Sequence, residues 1–508
     1  MLHRTTFGWW SPEERALAAE VNAFADSMRE RNMAAMWSHD VPRDTIAELG
    51  RRGYFGAVIP QAYGGMSPGT GDATRLSIIM EALGRIPGAT MAFGVGCAFH
   101  IATHGTEDQK QRWLPGLAAG TTLGAVAVTE PYAGSDAGGI ATFARPTPGG
   151  YLLNGRKRYI THTGLADVYL VYAATSTDPA SVKKRTHLSA FLVPADSPRL
   201  NVERLYDLGG SQYLRNGVLH FDDVFLTEDA MLGAPGDGWS VMTGGLNVER
   251  VAVACKCIGM MGESLATSWQ WLRRRWQFGT SLDRLATIRA RMGTALAEGI
   301  SVRTTAYHAA HLLDTGAEGS GLEASAAKLL AAETALRGAS TALELMGADG
   351  YSRHYPVFQI MQDLRLYQVG AGSNDVLRGL IFRLGEKRFV EILAEEPMAI
   401  LPPTLTPITA EPTSNSLTDT ILRLLAETYR LHPGLHMTLP DLRRRLPAVD
   451  VDSADFAEAV DTLESKEFVS VARRGSDVIG LRPTYTGLDA AHDSAYFRLI
   501  PDWATDLQ

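Results

Sequence analysis

The chain has 508 residues and a formal net charge of −8 at pH 7. A chain of this length is expected to form about three domains, and the acidic balance gives no reason to expect nucleic acid or an anionic membrane as a partner. Three cysteines (Cys97, Cys255 and Cys257) are not a disulfide framework, which favours a reducing compartment. We expect a soluble cytoplasmic protein without a metal site, because neither a signal peptide nor a membrane-length apolar run is evident.

The first segment, residues 1–123, is predicted to be a helical domain. Ser11 is a good N-cap, Pro12 fits the first helical position, and Glu13 and Glu14 favour the first turn of a helix. Apolar residues then recur at helical spacing.

The period changes in residues 124–232, which are predicted to be a β domain. Short runs rich in β-branched and aromatic residues alternate with Gly, Pro, Asn and Asp, which favours antiparallel strands. The predicted strands are 151–155, 168–172, 188–193 and 218–221.

Long helices return in residues 233–395, which we interpret as a helical bundle. Segments 238–272 and 287–313 are rich in Ala, Leu and Met at helical spacing. Helices, then strands, then helices predict an α+β fold with segregated layers.

Residues 396–416 contain five prolines among Thr, Ser and Ala, and are interpreted as a semi-rigid linker. The final segment, 417–508, predicts three helices (419–429, 439–446 and 453–467) and two strands (469–472 and 478–481). This pattern resembles a winged-helix domain.

Four segments carry a family resemblance. They are Val128–Asp136 (VTEPYAGSD), Asn154–Thr161 (NGRKRYIT), Arg275–Gly279 (RWQFG) and Met346–Tyr351 (MGADGY). In this order and spacing they resemble the TEPxAGSD, NGxKxWIT, RxxFG and GGxGY signatures of the acyl-CoA dehydrogenase family. The resemblance covers about residues 12–390.

The resemblance implies a helical domain, a β domain and a four-helix C-terminal bundle with FAD between them. It also implies a homotetramer in which FAD contacts two subunits. The substrate would be an acyl thioester on CoA or an acyl carrier protein, and electrons would pass to an electron-transfer flavoprotein or another acceptor.

The same resemblance assigns flavin contacts. Tyr159 would lie against the isoalloxazine ring, and Thr129 and Thr161 would donate to its polar edge. Arg275, Gln277 and Phe278 would contact the FAD of a neighbouring subunit, where a guanidinium suits a diphosphate. The other cofactor positions implied are Val128, Ser135, Glu344, Gly347, Ser373 and Asn374. Glu344 replaces the family's glutamine.

The position of the catalytic base departs from the commonest family pattern. Many members carry a glutamate in a YEGT segment, whereas this chain has Gly370-Ala371-Gly372-Ser373. The isovaleryl-CoA dehydrogenase branch also has GAGT there and supplies its glutamate from an LxxER segment, which resembles Leu246–Arg250 here. Glu249 is therefore the candidate base, removing the α-proton while the β-hydride passes to flavin N5.

The remaining substrate contacts follow from these segments. The backbone N–H of Ala371 would stabilise the thioester carbonyl, so losing the glutamate side chain removes no donor. Ser135, Asn247, Arg250 and Gly370 are the other candidate thioester contacts.

Two alternative functions stay open on the sequence. A flavin monooxygenase could use the same scaffold, although that class usually lacks a carboxylate base. A regulator or interaction protein is suggested by the C-terminal segment, but residues 415–508 carry 10 basic and 15 acidic residues, and DNA readers normally present a basic face.

Overall fold

The computed structural model describes residues 5–33, 43–69, 72–86, 95–395, 414–431, 436–474 and 477–491. The chain divides into two compact units, Met1–Gly385 and Glu386–Gln508. Most of the predicted linker, residues 396–413, lies outside the described residues. Among the helices that are described, none is long and apolar enough to cross a membrane.

The first unit begins with helices, as predicted. Ser11 and Glu14 form a reciprocal cap: the Ser11 N–H donates to the Glu14 carboxylate at 2.6 Å and the Glu14 N–H donates to the Ser11 hydroxyl at 3.1 Å. These bonds satisfy donors that a helix start leaves unpaired. The helices are α1 (Pro12–Met33), α2 (Arg43–Arg51), α3 (Ala73–Gly84), α4 (Val95–His104) and α5 (Glu107–Ala119).

An eight-stranded sheet follows. Its strands are β1 (Gly124–Ala127), β2 (Phe143–Thr147), β3 (Gly150–Thr161), β4 (Val168–Ala174), β5 (Leu188–Pro194), β6 (Leu200–Leu205), β7 (Asn216–Thr227) and β8 (Met231–Leu232), with the short helix α6 (Pro179–Lys184) between β4 and β5. The strand order is β6-β7-β3-β2-β4-β5-β8, and β1 pairs with β4.

The sheet is mixed: the predicted antiparallel pairing is confirmed for most neighbouring strands but is wrong for β1 with β4 and for β2 with β4. β1 runs parallel to β4, with Gly124 opposite Val168, and β2 meets β4 in a single parallel pair at Phe143 and Ala174. Parallel neighbours need a long connection, and the chain between β1 and β4 provides one because it contains β2 and β3. Short-range alternation could not reveal this pairing.

Successive side chains of β4 pack into two different hydrophobic cores. Val168, Leu170 and Tyr172 face a core shared with α4 and the long helix that begins at Gly238, while Tyr169 and Val171 face a core inside the β domain. Successive strand residues point to opposite faces, so β4 brings Tyr172 toward the helices.

The helical bundle closes the first unit. It consists of α7 (Gly238–Leu272), α8 (Ala286–Asp314), α9 (Ser320–Met346), α10 (Ala348–Tyr351), α11 (Val357–Val369) and the part of α12 (Asn374–Glu395) up to Gly385, with the hairpin β9 (Trp276–Gln277) and β10 (Thr280–Ser281) after α7. Small residues let the helices approach closely: a Cβ added to Gly259 of α7 would lie 2.0 Å from the Glu81 carbonyl oxygen of α3.

The second unit has its own small core. It contains α13 (Ser414–Leu431), β11 (Met437–Thr438), α14 (Leu439–Arg445), α15 (Ala454–Ser465), β12 (Val469–Arg474), β13 (Asp477–Pro483) and α16 (Tyr485–Ala490). The strands pair in the order β11-β13-β12. Ile421, Leu442 and Leu481 are fully buried together. The winged-helix interpretation stays a prediction.

Candidate active site

The two sequence segments at the start of the β domain are joined by a buried ion pair. Lys157 lies on β3, and its ammonium donates to Glu130 Oε1 at 2.7 Å and to the Val128 carbonyl at 2.9 Å. The Arg158 N–H donates to the Thr129 carbonyl at 2.8 Å. These bonds hold Thr129 beside the end of β3, where Tyr159 and Thr161 lie, so three of the predicted flavin contacts come together.

Electrostatics favour the charged form of Glu130. Burial raises the pKa of a carboxyl, but Lys157 together with hydrogen bonds from Thr142 and Ala141 outweighs burial and lowers the pKa of Glu130. Burial lowers the pKa of Lys157 to about 8, against the attraction of Glu130. The sequence places both residues in family motifs but does not show that they pair.

The ring of Tyr159 is partly exposed at the end of β3 and could lie against a flat ligand. It has a left-handed backbone with φ of 54°, and its side chain is 47% exposed. A non-glycine residue in this region is uncommon and clusters at functional sites. Its ring stacks on Tyr206 with centroids 4.5 Å apart, and the Arg158 guanidinium lies 4.4 Å from its centroid. Tyr206 was not identified from the sequence.

Glu249 lies in the first half of α7. Glu249 is exposed, but the protein atoms around its carboxyl desolvate it and raise its pKa above the ordinary 4.5, with Arg250 and Lys328 opposing that rise. Both observations fit a carboxyl that is partly enclosed by protein and still reachable from solvent. A carboxyl whose pKa is raised is a better proton acceptor than an ordinary glutamate, which suits a catalytic base.

Polar residues missed in the sequence lie near Glu249. One turn before Glu249, Gly245 leaves room for His100 of α4, whose Nε2 would lie 2.8 Å from a Cβ at that position. Burial lowers the pKa of His100 to about 4, so its imidazole is neutral at pH 7. The Tyr172 hydroxyl is buried and its pKa is raised by burial and by the charges of Cys97 and Glu249.

The loop after α11 carries the unusual Ala371. Ala371 and Gly372 both have left-handed backbones, with φ of 54° and 86°. Lys328 of α9 holds the loop because its ammonium donates to the Gly372 carbonyl at 2.8 Å and to Asn374 Oδ1 at 3.1 Å. Lys328 also interacts electrostatically with Glu249, so it connects the loop to the candidate base. No motif pointed to Lys328.

Three predicted contacts are engaged in bonds within the chain. Arg250 is buried and donates to Asn247 Oδ1 at 3.0 Å and to the Ser325 hydroxyl at 3.3 Å. Asn374 is buried and bonds to Lys328 and Glu333. Their polar groups are therefore used within the chain, and a direct ligand contact from them stays a prediction.

The other predicted residues are exposed or half-buried. Ser135 is exposed in the loop between β1 and β2, and Val128 is half-buried beside Thr129. Gly370 and Ser373 are half-buried at the loop after α11. Gly347 has φ of 60° and ψ of −139° at the end of α9, a conformation that glycine adopts most readily.

The hairpin after α7 is remote from Glu249. Arg275, Gln277 and Phe278 are exposed there, Phe278 by 88%. Glu249 is 23 residues before the end of α7, which at about 1.5 Å per residue is about 35 Å. Glu249 and this hairpin are therefore too far apart for both to lie beside the ring of the same FAD in one chain. Glu344 is exposed and pairs with Arg291.

No group of three or more His, Cys, Asp and Glu side chains suited to hold a metal ion occurs in the described part of the chain. The candidate residues form two groups: Glu249 with Lys328 and the loop after α11, and the ring of Tyr159 with the hydroxyl groups of Thr129 and Thr161 at the end of β3. This donor set suits an organic cofactor with a flat ring.

Comparison with known proteins identifies the family. The acyl-CoA dehydrogenase N-terminal, middle and C-terminal domain models match residues 11–121, 125–224 and 236–384. The chain belongs to the acyl-CoA dehydrogenase family. Like the members of that family, it is an FAD-dependent oxidoreductase.

Individual acyl-CoA dehydrogenases resemble most of the first unit. An acyl-CoA dehydrogenase of Bacillus subtilis is 33% identical over 352 residues, covering 67% of this chain and 89% of that protein. A glutaryl-CoA dehydrogenase of Desulfococcus multivorans is 31% identical over 379 residues, covering 73% and 96%. The structure of butyryl-CoA dehydrogenase from Megasphaera elsdenii superposes with a TM-score of 0.70 at 28% identity, covering 76% of this chain and all of that one.

The residues present fit the FAD that the family uses. Tyr159 offers an exposed ring, and Thr161 offers a hydroxyl whose oxygen accepts from Asn216 at 3.5 Å, which leaves its hydrogen available to donate. Thr129 is partly accessible beside them. An aromatic face with donors at its edge is what a flavin ring requires.

Proposed function

We propose that this acyl-CoA dehydrogenase desaturates a short or branched acyl thioester at the α,β bond, with Glu249 as the base. The observation that carries the proposal is the position of Glu249 beside Lys328, whose ammonium holds the loop of Ala371 at 2.8 Å; desolvation also raises the pKa of the Glu249 carboxyl. The loop position where many relatives carry a carboxylate holds Ala371, which cannot accept a proton.

The chain supplies the proton acceptor and the carbonyl donor. Glu249 removes the α-proton of the thioester, which requires its ionised form. The Ala371 N–H makes no backbone hydrogen bond within the described chain, so it is available to donate to the thioester carbonyl and stabilise negative charge there. Tyr159, Thr129 and Thr161 would hold FAD, which would supply the acceptor for the hydride of the β-carbon.

Lys328 would keep the Ala371 N–H oriented toward the thioester carbonyl. It fixes the carbonyl of Gly372, the residue after Ala371, at 2.8 Å. Misplacing a group by about 1 Å can cost on the order of 100-fold in rate. The buried Lys328, by holding the left-handed loop of Ala371 and Gly372, would therefore help to orient the thioester carbonyl.

The hairpin after α7 supports an oligomer. Arg275, Gln277 and Phe278 lie about 35 Å along α7 from Glu249, so a contact with FAD would come from a neighbouring subunit. We propose the homotetramer and an electron-transfer flavoprotein or similar acceptor on this basis and on the family likeness.

The second unit gives little support to a DNA-binding role. Arg443 pairs with Asp452 at 2.7 Å, and Arg473 pairs with Glu464. Pairing of this kind removes basic charge that phosphate contacts would need. We propose an interaction role, such as docking an acyl carrier protein.

Glu249→Gln tests the proposal. It keeps size and hydrogen bonding but removes the proton acceptor, so anaerobic flavin reduction by a panel of short and branched acyl-CoA thioesters should slow by about 10² to 10⁴. FAD content should not change. Glu298→Gln on α8 is a matched control. Reduction of the Glu249→Gln flavin at the parent rate would exclude Glu249 as base and favour the monooxygenase alternative.

A further inference from the structure

Three polar side chains near Glu249 leave buried atoms without a hydrogen bond. They are His100 and His104 of α4 and Tyr172 of β4. His100 Nδ1, His104 Nε2 and the Tyr172 hydroxyl are enclosed by protein and have no partner within the described part of the chain. Few buried polar atoms in a native protein stay unpaired, because each has given up its hydrogen bonds to water. Three in one place therefore indicate a polar group that comes from outside the chain.

The three side chains form one polar cluster. The rings of His100 and His104, one helical turn apart on α4, have centroids separated by 6.2 Å. The ring of Tyr172 lies edge-on to that of His100, with centroids 6.5 Å apart. Both rings belong to the space between α4 and β4, so one small ligand group could reach more than one of them.

The polar cluster faces α7 at two glycines. A Cβ built on Gly245 would lie 2.8 Å from His100 Nε2, and one built on Gly244 would lie 3.7 Å from His104 Nε2. A side chain at position 245 would therefore collide with His100. Gly244 is exposed, so the space beside it is open. The two glycines leave the imidazole nitrogens directed at α7 with no side chain between.

Glu249 is one turn further along the same helix. Gly245 and Glu249 are four residues apart, which places them on one face of α7 and about 6 Å apart along its axis. The charge of Glu249 also acts on the Tyr172 hydroxyl. An acyl chain whose α-carbon contacts Glu249 would therefore bring a group on its γ- or δ-carbon within about 3 Å of the polar cluster, the length of a hydrogen bond.

The charge state of the polar cluster limits which group fits. Burial lowers the pKa of His100 to about 4, and the neighbouring His104 adds to this shift. Burial also lowers the pKa of His104, so both imidazoles are neutral at pH 7. A neutral imidazole has one donor and one acceptor nitrogen, which suits a hydroxyl. It would not compensate a buried carboxylate, which Glu249 would also repel.

We propose that His100, His104 and Tyr172 bind a hydroxyl group on the γ- or δ-carbon of the acyl chain. The inference rests on the proposed thioester activity and deepens it, because it names a hydroxyacyl thioester as the substrate class. A hydroxyl can both donate and accept within the polar cluster, whereas an aliphatic chain would leave all three side chains unpaired.

The test compares substrates on the full-length, FAD-loaded protein by anaerobic flavin reduction. The CoA thioesters are butyryl with γ-hydroxybutyryl, valeryl with δ-hydroxyvaleryl, and glutaryl. At least one hydroxyacyl thioester should exceed its plain partner in kcat/KM by about 10-fold or more, because a site built to bind a hydroxyl rejects the analogue that lacks it. Glutaryl-CoA should be the poorest. Equal kcat/KM within both pairs, or a preference for glutaryl-CoA, would overturn the inference.

Variants show whether the polar cluster carries this preference. In Tyr172→Phe and His100→Phe the loss in kcat/KM should be about 10-fold larger for the preferred hydroxyacyl thioester than for its plain partner. Tyr169→Phe is the matched control, because it removes a buried hydroxyl that lies on the other face of β4, and it should not change the ratio. Tyr172→Phe keeps the shape of the ring, so it decides the matter if His100→Phe does not fold. A ratio that stays at the parent value in Tyr172→Phe would contradict the assignment.

Binding separates this inference from the proposed function. CoA thioethers with the same chains lack the thioester carbonyl, so calorimetry of the hydroxylated against the plain thioether measures the polar cluster without the reaction. The hydroxylated thioether should bind about 10-fold more tightly to the parent protein, and this difference should disappear in Tyr172→Phe. If no thioester reduces the parent flavin, the proposed function fails, whereas equal binding of the two thioethers would overturn the hydroxyl site.

Discussion

Replacing Lys157 with Met removes the cation from the interior while keeping the length of the side chain. In the parent protein the ammonium is fully buried and lies 2.7 Å from Glu130 Oε1, and the Glu130 side chain is also buried. Breaking a buried ion pair by removing one partner typically costs about 3–5 kcal/mol, because the other charge is left uncompensated.

The structure places this variant near the lower end of that range. Glu130 would still accept the N–H groups of Ala141 at 2.7 Å and Thr142 at 3.0 Å, which offset part of the loss. Removing the carboxylate as well, in Lys157→Met/Glu130→Gln, should recover about 2 kcal/mol relative to additivity. We therefore expect a loss of about 3 kcal/mol in the free energy of unfolding for the single variant.

Urea unfolding followed by tryptophan fluorescence, together with the FAD content of the purified protein, measures this effect. FAD content should also fall, because Lys157 holds the Val128 carbonyl at 2.9 Å beside Thr129. Lys466→Met, at an exposed position, is the control. If Lys157→Met unfolds within about 1 kcal/mol of the parent and keeps its FAD, the ion pair does not organise the site.

Three further outcomes are expected. The rate of anaerobic flavin reduction should decline as the pH falls through the raised pKa of Glu249, because the base becomes protonated, and Glu249→Gln should lose this acidic limb of the pH–rate profile. The folded chain also keeps this proton to higher pH than the unfolded chain does. The contribution of Glu249 to the free energy of unfolding therefore decreases as the pH rises through the same pKa. Lys328→Met should slow reduction about 10-fold or more and move the limb to higher pH, since the Lys328 charge lowers the pKa of Glu249; an unmoved limb at the parent rate would contradict the anchoring role. Truncation of residues 397–508 should leave FAD content and subunit number unchanged by absorbance and light scattering, and loss of either would show that the tail belongs to the core assembly.

Local sequence signals predicted the helices well. The bounds of α7 in the structure, Gly238–Leu272, are those predicted, because its apolar spacing and its flanking Gly and Arg residues are local features. The start of α1 at Pro12 followed from the Ser11 cap. The parallel pairing of β1 with β4 was not predicted, since pairing depends on which strands meet after a long connection.

The candidate site was predicted only in part. Family motifs identified Glu249, Tyr159 and Ala371 as residues, but no local pattern shows which side chains support them. Lys328 lies 79 positions after Glu249 and 44 before Gly372 in the sequence, and only folding brings it to the loop. Tyr206 is similarly separated from Tyr159, on which it stacks.

The continuous α7 also limits how this chain can change in length. A single residue inserted between Trp239 and Glu249 would turn everything after it by about 100° and advance it by about 1.5 Å. The Glu249 carboxyl would then turn away from Lys328 and the Ala371 loop, while the part of α7 before the insertion kept its place. We expect substitutions along this segment to be tolerated at several positions, but insertions and deletions to abolish thioester oxidation.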